Sequence, residues 1–146
     1  MSGLESLFWL GLREESRDFD HLMLRRVENL LPPTGFPDVD GVWWGNAFKL
    51  ELKAKARPAR PPTAIDLGVS TKQVLWNEEY WRCGGSCWFY IRIAKGSHAS
   101  RYLVRGRDGS CLHNKLTEAS LSRLSVLPAT HTMQHMLERV ASLERD

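Results

Sequence analysis

No run of apolar residues in this chain approaches the ~20 needed to cross a bilayer as a helix. That excludes helical channels and transporters. The first residues also lack a basic segment followed by an apolar stretch and a small-residue cleavage site, so cytoplasmic residence is the expectation. Cysteine is scarce. Three thiols, an odd number, do not make a disulfide framework. Cys83-x-x-x-Cys87 with Cys111-x-His113 could be arranged as a zinc site, but the tight knuckle spacing is missing, and buried thiols are the simpler reading. His131 and His135 stand one helical turn apart without the glutamate of a metalloprotease pattern, so they read as solvated histidines. Internal repeats are absent, which excludes solenoids and propellers.

What is present suits one globular domain. The 146 residues are 42% hydrophobic and 25% charged, enough for a single core and too few for two. The expected domain spans 1–146, with its core at about 4–105 and a helical C-terminal extension at about 112–146. The net charge of +3 is small, but its distribution is uneven. Lys49, Lys53, Lys55, Arg57 and Arg60 crowd one short stretch, and Arg25 and Arg26 form a second pair. Clustered cations concentrate phosphate backbone and release its counterions, which makes nucleic acid the expected partner; a solvated basic loop is the bland alternative. Arg26 and its neighbours could equally pair with Glu28.

The chemistry lies in Pro37–Lys53, PDVDGVWWGNAFKLELK. Phe48, Leu50 and Leu52 alternate with Lys49, Glu51 and Lys53, so a strand here sends the apolar set to the core and Glu51 and Lys53 to the other face together. Asp38 opens the preceding extended run, and Gly45-Asn46 is the expected hairpin turn. Folding that hairpin brings Asp38 towards Glu51. Two carboxylates and a backbone carbonyl form the hard oxygen set that Mg²⁺ prefers, with Mn²⁺ as a substitute. An ammonium two residues away could orient a water or stabilise a phosphoryl transition state. A surface hairpin with alternating charge is the plain alternative.

Gly35-Phe36-Pro37-Asp38 followed by Phe48-Lys49-Leu50-Glu51-Leu52-Lys53 resembles the PD-(D/E)xK nuclease superfamily, in particular its small phage and archaeal Holliday-junction-resolvase-like branch. Leu4-Glu5-Ser6-Leu7-Phe8-Trp9 is similar to that branch's first helix, and Arg26-Val27-Glu28-Asn29 to the short strand before the Pro-Asp turn. Ser70-Thr71-Lys72-Gln73 sits where a glutamine-bearing helix follows the catalytic strand. The likeness covers about residues 4–94. It implies an α/β fold with a mixed central sheet flanked by helices, as in restriction endonucleases. It also implies metal-dependent cleavage of DNA, structure-selective for branched substrates and carried out by a symmetric homodimer. Asp38, Glu51, the Leu52 carbonyl and Glu5 would hold the metal, with Glu28 as rival to Glu5; Lys53 and Gln73 would assist. Lys49, Lys55, Arg57, Arg60 and Arg26 would contact DNA. A homing or restriction-like nuclease, or a non-catalytic binding protein on the same fold, are the alternatives. The proline-rich segment after Lys53 and the tail from Gly106 depart from the pattern.

The remaining elements follow from periodicity. Leu4, Leu7, Phe8, Leu10 and Leu12 predict a helix from Ser2 or Gly3 to about Asp18, with Glu14 and Glu15 in solvent. Glu5 could reach the metal or compensate the helix dipole. Residues 21–31 read as extended, with Leu22 and Leu24 inward. Ala54–Gly68 reads as an irregular arm that contacts DNA or as a mere insertion. Ser70 caps a helix to Arg82 that packs through Val74, Leu75, Tyr80 and Trp81, and Gly84-Gly85 stops it. Cys87–Ile93 is a strand buried on both faces. Arg101–Val104 is a shorter strand, a turn follows at 106–109, and helices cover Leu116–Leu124 and His131–Glu144. Of Trp43 and Trp44, one must face outward, where an indole could stack on a base.

Overall fold

The computed structural model describes residues 2–28 and 34–142. Its elements run α1 (Gly3–Ser16), β1 (Leu22–Arg26), β2 (Val39–Trp43), β3 (Asn46–Ala56), α2 (Thr71–Arg82), β4 (Cys87–Lys95), β5 (His98–Arg105), a 3-10 helix (Gly106–Leu112), α3 (Glu118–Leu124) and α4 (Met133–Val140). The five strands form one sheet in the order β1-β2-β3-β4-β5. β1, β2 and β3 are an antiparallel meander, α2 carries the chain over to β4 parallel to β3, and β5 returns as a hairpin. The expected mixed α/β architecture is the observed one. Asn29 to Pro33, Leu143 and Glu144 lie outside the described residues.

The alternation of β3 builds two cores. Phe48, Leu50, Leu52 and Ala54 face α1 and α4, packing with Phe8, Trp9, Leu12, Trp88, Tyr90, Met136 and Leu137. The opposite face joins Phe89, Ile91 and Ile93 to Val74, Leu112, Leu121, Leu67 and Val69. β4 is therefore buried on both sides, as its apolar run requires. α4 is no appendage: Met133, Met136, Leu137 and Val140 complete the first core.

Several local expectations shift. α1 buries Glu5, Phe8, Trp9 and Leu12, one helical stripe, whereas Leu4, Leu7 and Leu10 are exposed. Leu75 of α2 is likewise exposed, and Asn77 takes a buried place instead. Glu15 is not a free surface charge; it forms a bidentate pair with Arg101, whose guanidinium lies over Phe8. His131 is half-buried and bonded to the Tyr90 hydroxyl at 2.7 Å. Burial holds its pKa below the usual histidine value, whereas the Tyr90 phenol is pushed up to about 12, also by burial. Cys87 is buried as expected, but Cys83 and Cys111 are exposed. The His113 ring is taken by the Val69 carbonyl, and among the described residues no three histidine, cysteine or acidic side chains cluster as for zinc.

The segment after Lys53 is more ordered than its prolines suggest. β3 continues to Ala56, Ile65 pairs with Leu116 as an isolated bridge, and Leu67 and Val69 enter the second core. An i, i+2 alternation of Ile65, Leu67 and Val69 carries this signal in the sequence. No helix among the described residues is long and apolar enough to cross a membrane.

Candidate active site

The meander sets the geometry. Val39 pairs with Leu50 and Asp40 with Lys49, so the residue before Val39 reaches the Glu51–Leu52 segment. Asp38 Oδ2 accepts the Leu52 backbone N–H at 3.0 Å. Its carboxyl group also meets that of Glu51 directly. Glu51 and Lys53 sit on one face of β3, 2% and 6% exposed, with Nζ to Oε1 at 3.8 Å. Lys53 Nζ also donates to the Gly68 carbonyl at 3.1 Å.

α2 closes the site from the other side. The Ser70 hydroxyl accepts the Gln73 N–H, while Gln73 Oε1 accepts the Ser70 N–H, which fixes the glutamine in the first turn. The same side chain then donates through Nε2 to Glu51 Oε1 at 2.7 Å. Gly35 brings the Pro37-Asp38 turn against this helix. At φ +86 it lies so near the helix that a Cβ would overlap the Lys72 carbonyl oxygen. Only glycine fits that approach.

Glu51 Oε2 is left buried with no hydrogen-bond donor. Burial pushes the Glu51 carboxyl well above the usual range, and the charge of Asp38 pushes it further; Lys53 offsets part of this. Asp38 is raised too, chiefly by burial, against lowering by Glu51, the Leu52 N–H and Lys53. Two adjacent, partly desolvated carboxyls, one with an unpartnered oxygen, favour uptake of a proton or of a cation. A hard divalent cation fits this set, because it would ionise both groups and satisfy Oε2.

The structure thus brings Asp38, Glu51, the Leu52 backbone, Lys53 and Gln73 together. Glu5 is buried and close enough for its charge to raise both acids. Its Oε2, however, accepts the Ser2 N–H in the capping box of α1, and among the described residues no group of three acids converges as a cluster. Of the two roles expected of Glu5, the one at the helix N-terminus is the one its hydrogen bond shows. Glu28, the rival, is exposed beside Arg25 and Arg26 in a groove that also includes Asp40.

The basic residues separate into groups. Lys49 is half-buried on the Glu51 face, 2.7 Å from Asp40 Oδ1 and about 6 Å from the Phe36 and Tyr80 rings. Lys55 is half-buried and Arg60 exposed farther along. Arg26 is exposed on β1. Arg57 is not a free cation: it binds Glu118 through Nε at 2.8 Å and Nη2 at 3.0 Å, and also the Ser100 hydroxyl. A run of basic residues could not reveal a partner 61 residues away. Gly68 was missed as well, although Asp66-x-Gly68 is a recognisable turn: Asp66 Oδ1 accepts the Gly68 N–H and Gly68 has φ +70.

No protein-family model and no curated protein sequence matches the chain. Among solved structures it is similar to Hjc, a Holliday junction resolvase from Archaeoglobus fulgidus, with a TM-score of 0.54. The fold is Hjc-like. The match covers 83% of this chain and 95% of Hjc at 15% identity, so it is a likeness of architecture.

Proposed function

We propose that the protein is a metal-dependent DNA endonuclease. The observation that carries this reading is a buried acid beside a half-buried one: Glu51 Oε2 lacks any donor, next to Asp38 and with an ammonium 3.8 Å from its sister oxygen. A structural ion pair would satisfy both oxygens; a cation site leaves one open. The likeness to Hjc favours a nuclease over other phosphate chemistry and points to branched DNA as the substrate class.

Asp38, Glu51 and the Leu52 carbonyl would hold Mg²⁺ or Mn²⁺, with Glu5 supplying negative charge and a further oxygen at the rim. The bound ion would supply Lewis acidity towards the phosphoryl oxygens and a more acidic water. Lys53, held between Glu51 and the Gly68 carbonyl, would orient the attacking water and stabilise charge on the phosphoryl group. Gln73 is a positioning residue that fixes Glu51 Oε1. Lys55, Arg60 and Arg26 are the cations left to track the DNA backbone, while Lys49 is held by Asp40. A homodimer would present two such sites related by a twofold axis, suited to cutting opposed strands. A homing or restriction-like specificity rests on the same residues.

Incubation with cruciform, nicked, single-stranded and linear duplex DNA in Mg²⁺ or Mn²⁺ tests this directly. Cleavage is expected, with preference for the cruciform. Glu51→Gln should abolish cutting and leave binding largely intact. Undiminished cleavage by that variant would refute the assignment, and binding without cleavage by the parent on every substrate would favour a non-catalytic binding protein.

A further inference from the structure

The β2–β3 hairpin does not turn where its sequence suggests. Trp43 pairs with Asn46, so the two turn residues are Trp44 and Gly45, at φ +50 and +78. Asn46, which would suit a left-handed position, instead starts β3. A bulky aromatic residue at positive φ is a rare and strained choice where asparagine or glycine would be relaxed. The strain is not offset by burial, since Trp44 is 61% exposed. Its indole is held by His21, also at positive φ (+59), with ring centroids 3.9 Å apart. The Trp44 N–H donates to the His21 carbonyl at 3.1 Å, which locks the pair at the corner of the sheet. Backbone strain of this kind persists where a side chain is needed in a set place.

The surface between this corner and the acid pair is continuous. On the side of the sheet that carries Glu51, the first row out from the acids is Arg25, Asp40 and Lys49, and the next is Met23, Val42 and Ala47. Arg25, Met23 and Ala47 are exposed. Phe36 and the stacked pair Trp76 and Tyr80 lie beside Lys49 as a wall. Trp44 lies six residues along the strand from Asp38, a distance of roughly 20 Å, or a span of several nucleotides. The track thus runs from the acid pair past Arg25 and the Lys49–Asp40 ion pair, then Met23, Val42 and Ala47, to a presented indole.

Resting on the nuclease reading for its ligand class, we propose that the Trp44–His21 pair is a stacking platform for an unpaired nucleobase of the bound DNA, several nucleotides from the phosphate held at Asp38 and Glu51. Every base offers a π-face, so such a platform reads unpaired geometry without reading sequence. Paired bases inside a continuous duplex would not expose a face to it.

The test is binding by fluorescence anisotropy in EDTA, where no cleavage occurs. The probes are a plain duplex, the same duplex with a single-stranded flap, and a single strand. Trp44→Gly should weaken binding to the flap and the single strand roughly tenfold, while duplex binding changes less than twofold. Trp44→Phe should retain most of the affinity. Because glycine relaxes the turn, the melting temperature of Trp44→Gly should equal or exceed that of the parent, which separates lost stacking from lost folding. Equal affinity of parent and Trp44→Gly on all probes would overturn the proposal, and so would an equal loss on all three. A shift from dimer to monomer with unchanged affinity would also overturn it, by assigning the corner to self-association. Trp44-dependent flap binding by a parent that never cuts DNA in Mg²⁺ would sink the nuclease reading and leave the platform standing.

Discussion

Replacing Glu51 with glutamine should make the metal-free protein more stable. Glu51 is 2% exposed, its Oε2 has no donor, and Asp38 adds a second acid in contact. An acid whose folded pKa is raised binds its proton more tightly when folded. Stability is then greatest at or below the unfolded pKa and falls as pH rises from there to the folded value, by about 1.4 kcal/mol for each tenfold difference in proton affinity between the two states. A glutamine amide would keep the Gln73 hydrogen bond through its carbonyl and donate to Asp38 through its nitrogen. An unsatisfied buried polar group costs about 1–3 kcal/mol, so a gain near 2 kcal/mol is expected at pH 7.5 in EDTA. For a chain of this size that raises Tm by roughly 4–8 °C. The gain should shrink as pH falls below 4, where the glutamate becomes protonated in both states. Excess Mg²⁺ should reverse the order, stabilising the parent by about 2.7 kcal/mol at a hundredfold excess over Kd and the variant hardly at all. Thermal melts of both proteins across pH, with and without Mg²⁺, decide it. A Glu51→Gln protein that melts at or below the parent in EDTA at pH 7.5 would refute the reasoning, as would a gain independent of pH.

Two further outcomes follow from the supports around the site. Gly35→Ala should lower stability by about 2–4 kcal/mol in a denaturant titration and reduce cleavage with it, because φ +86 and the Lys72 carbonyl both exclude a Cβ. Glu118 is held below the usual carboxylate range, first by its hydrogen bonds to Arg57. Its contribution is present above the unfolded pKa and is lost as pH falls through the folded one, so Glu118→Gln should cost about 1 kcal/mol at pH 7 and almost nothing at pH 3 in chemical melts.

Much of the site was legible because its logic is local. Alternation in Phe48–Lys53 placed Glu51 and Lys53 on one face, and Ser70 announced a helix start with Gln73 in its first turn; that Gln73 bonds Glu51 itself, rather than a water or a phosphate, only the fold disclosed. The hairpin was legible too, though off by one residue: Gly45-Asn46 looked like the turn, and a tryptophan occupies the strained place instead. Leu4, Leu7 and Leu10 misled because hydrophobic content alone does not say which helical stripe meets the sheet; Phe8, Trp9 and Leu12 do, and they carry Glu5 inward with them.

What the sequence by itself determined is the strand pattern, the helix caps and the proximity of Asp38 to Glu51 across one hairpin, since each depends on neighbours within about fifteen residues. Tertiary structure alone decided which charges remain available. Arg57 was assigned to Glu118, Arg101 to Glu15 and Lys53 to the Gly68 carbonyl by segments that meet only when the sheet closes. The orphan state of Glu51 Oε2 arose in the same way, because burial is a property of the assembled core and is not encoded at any one position.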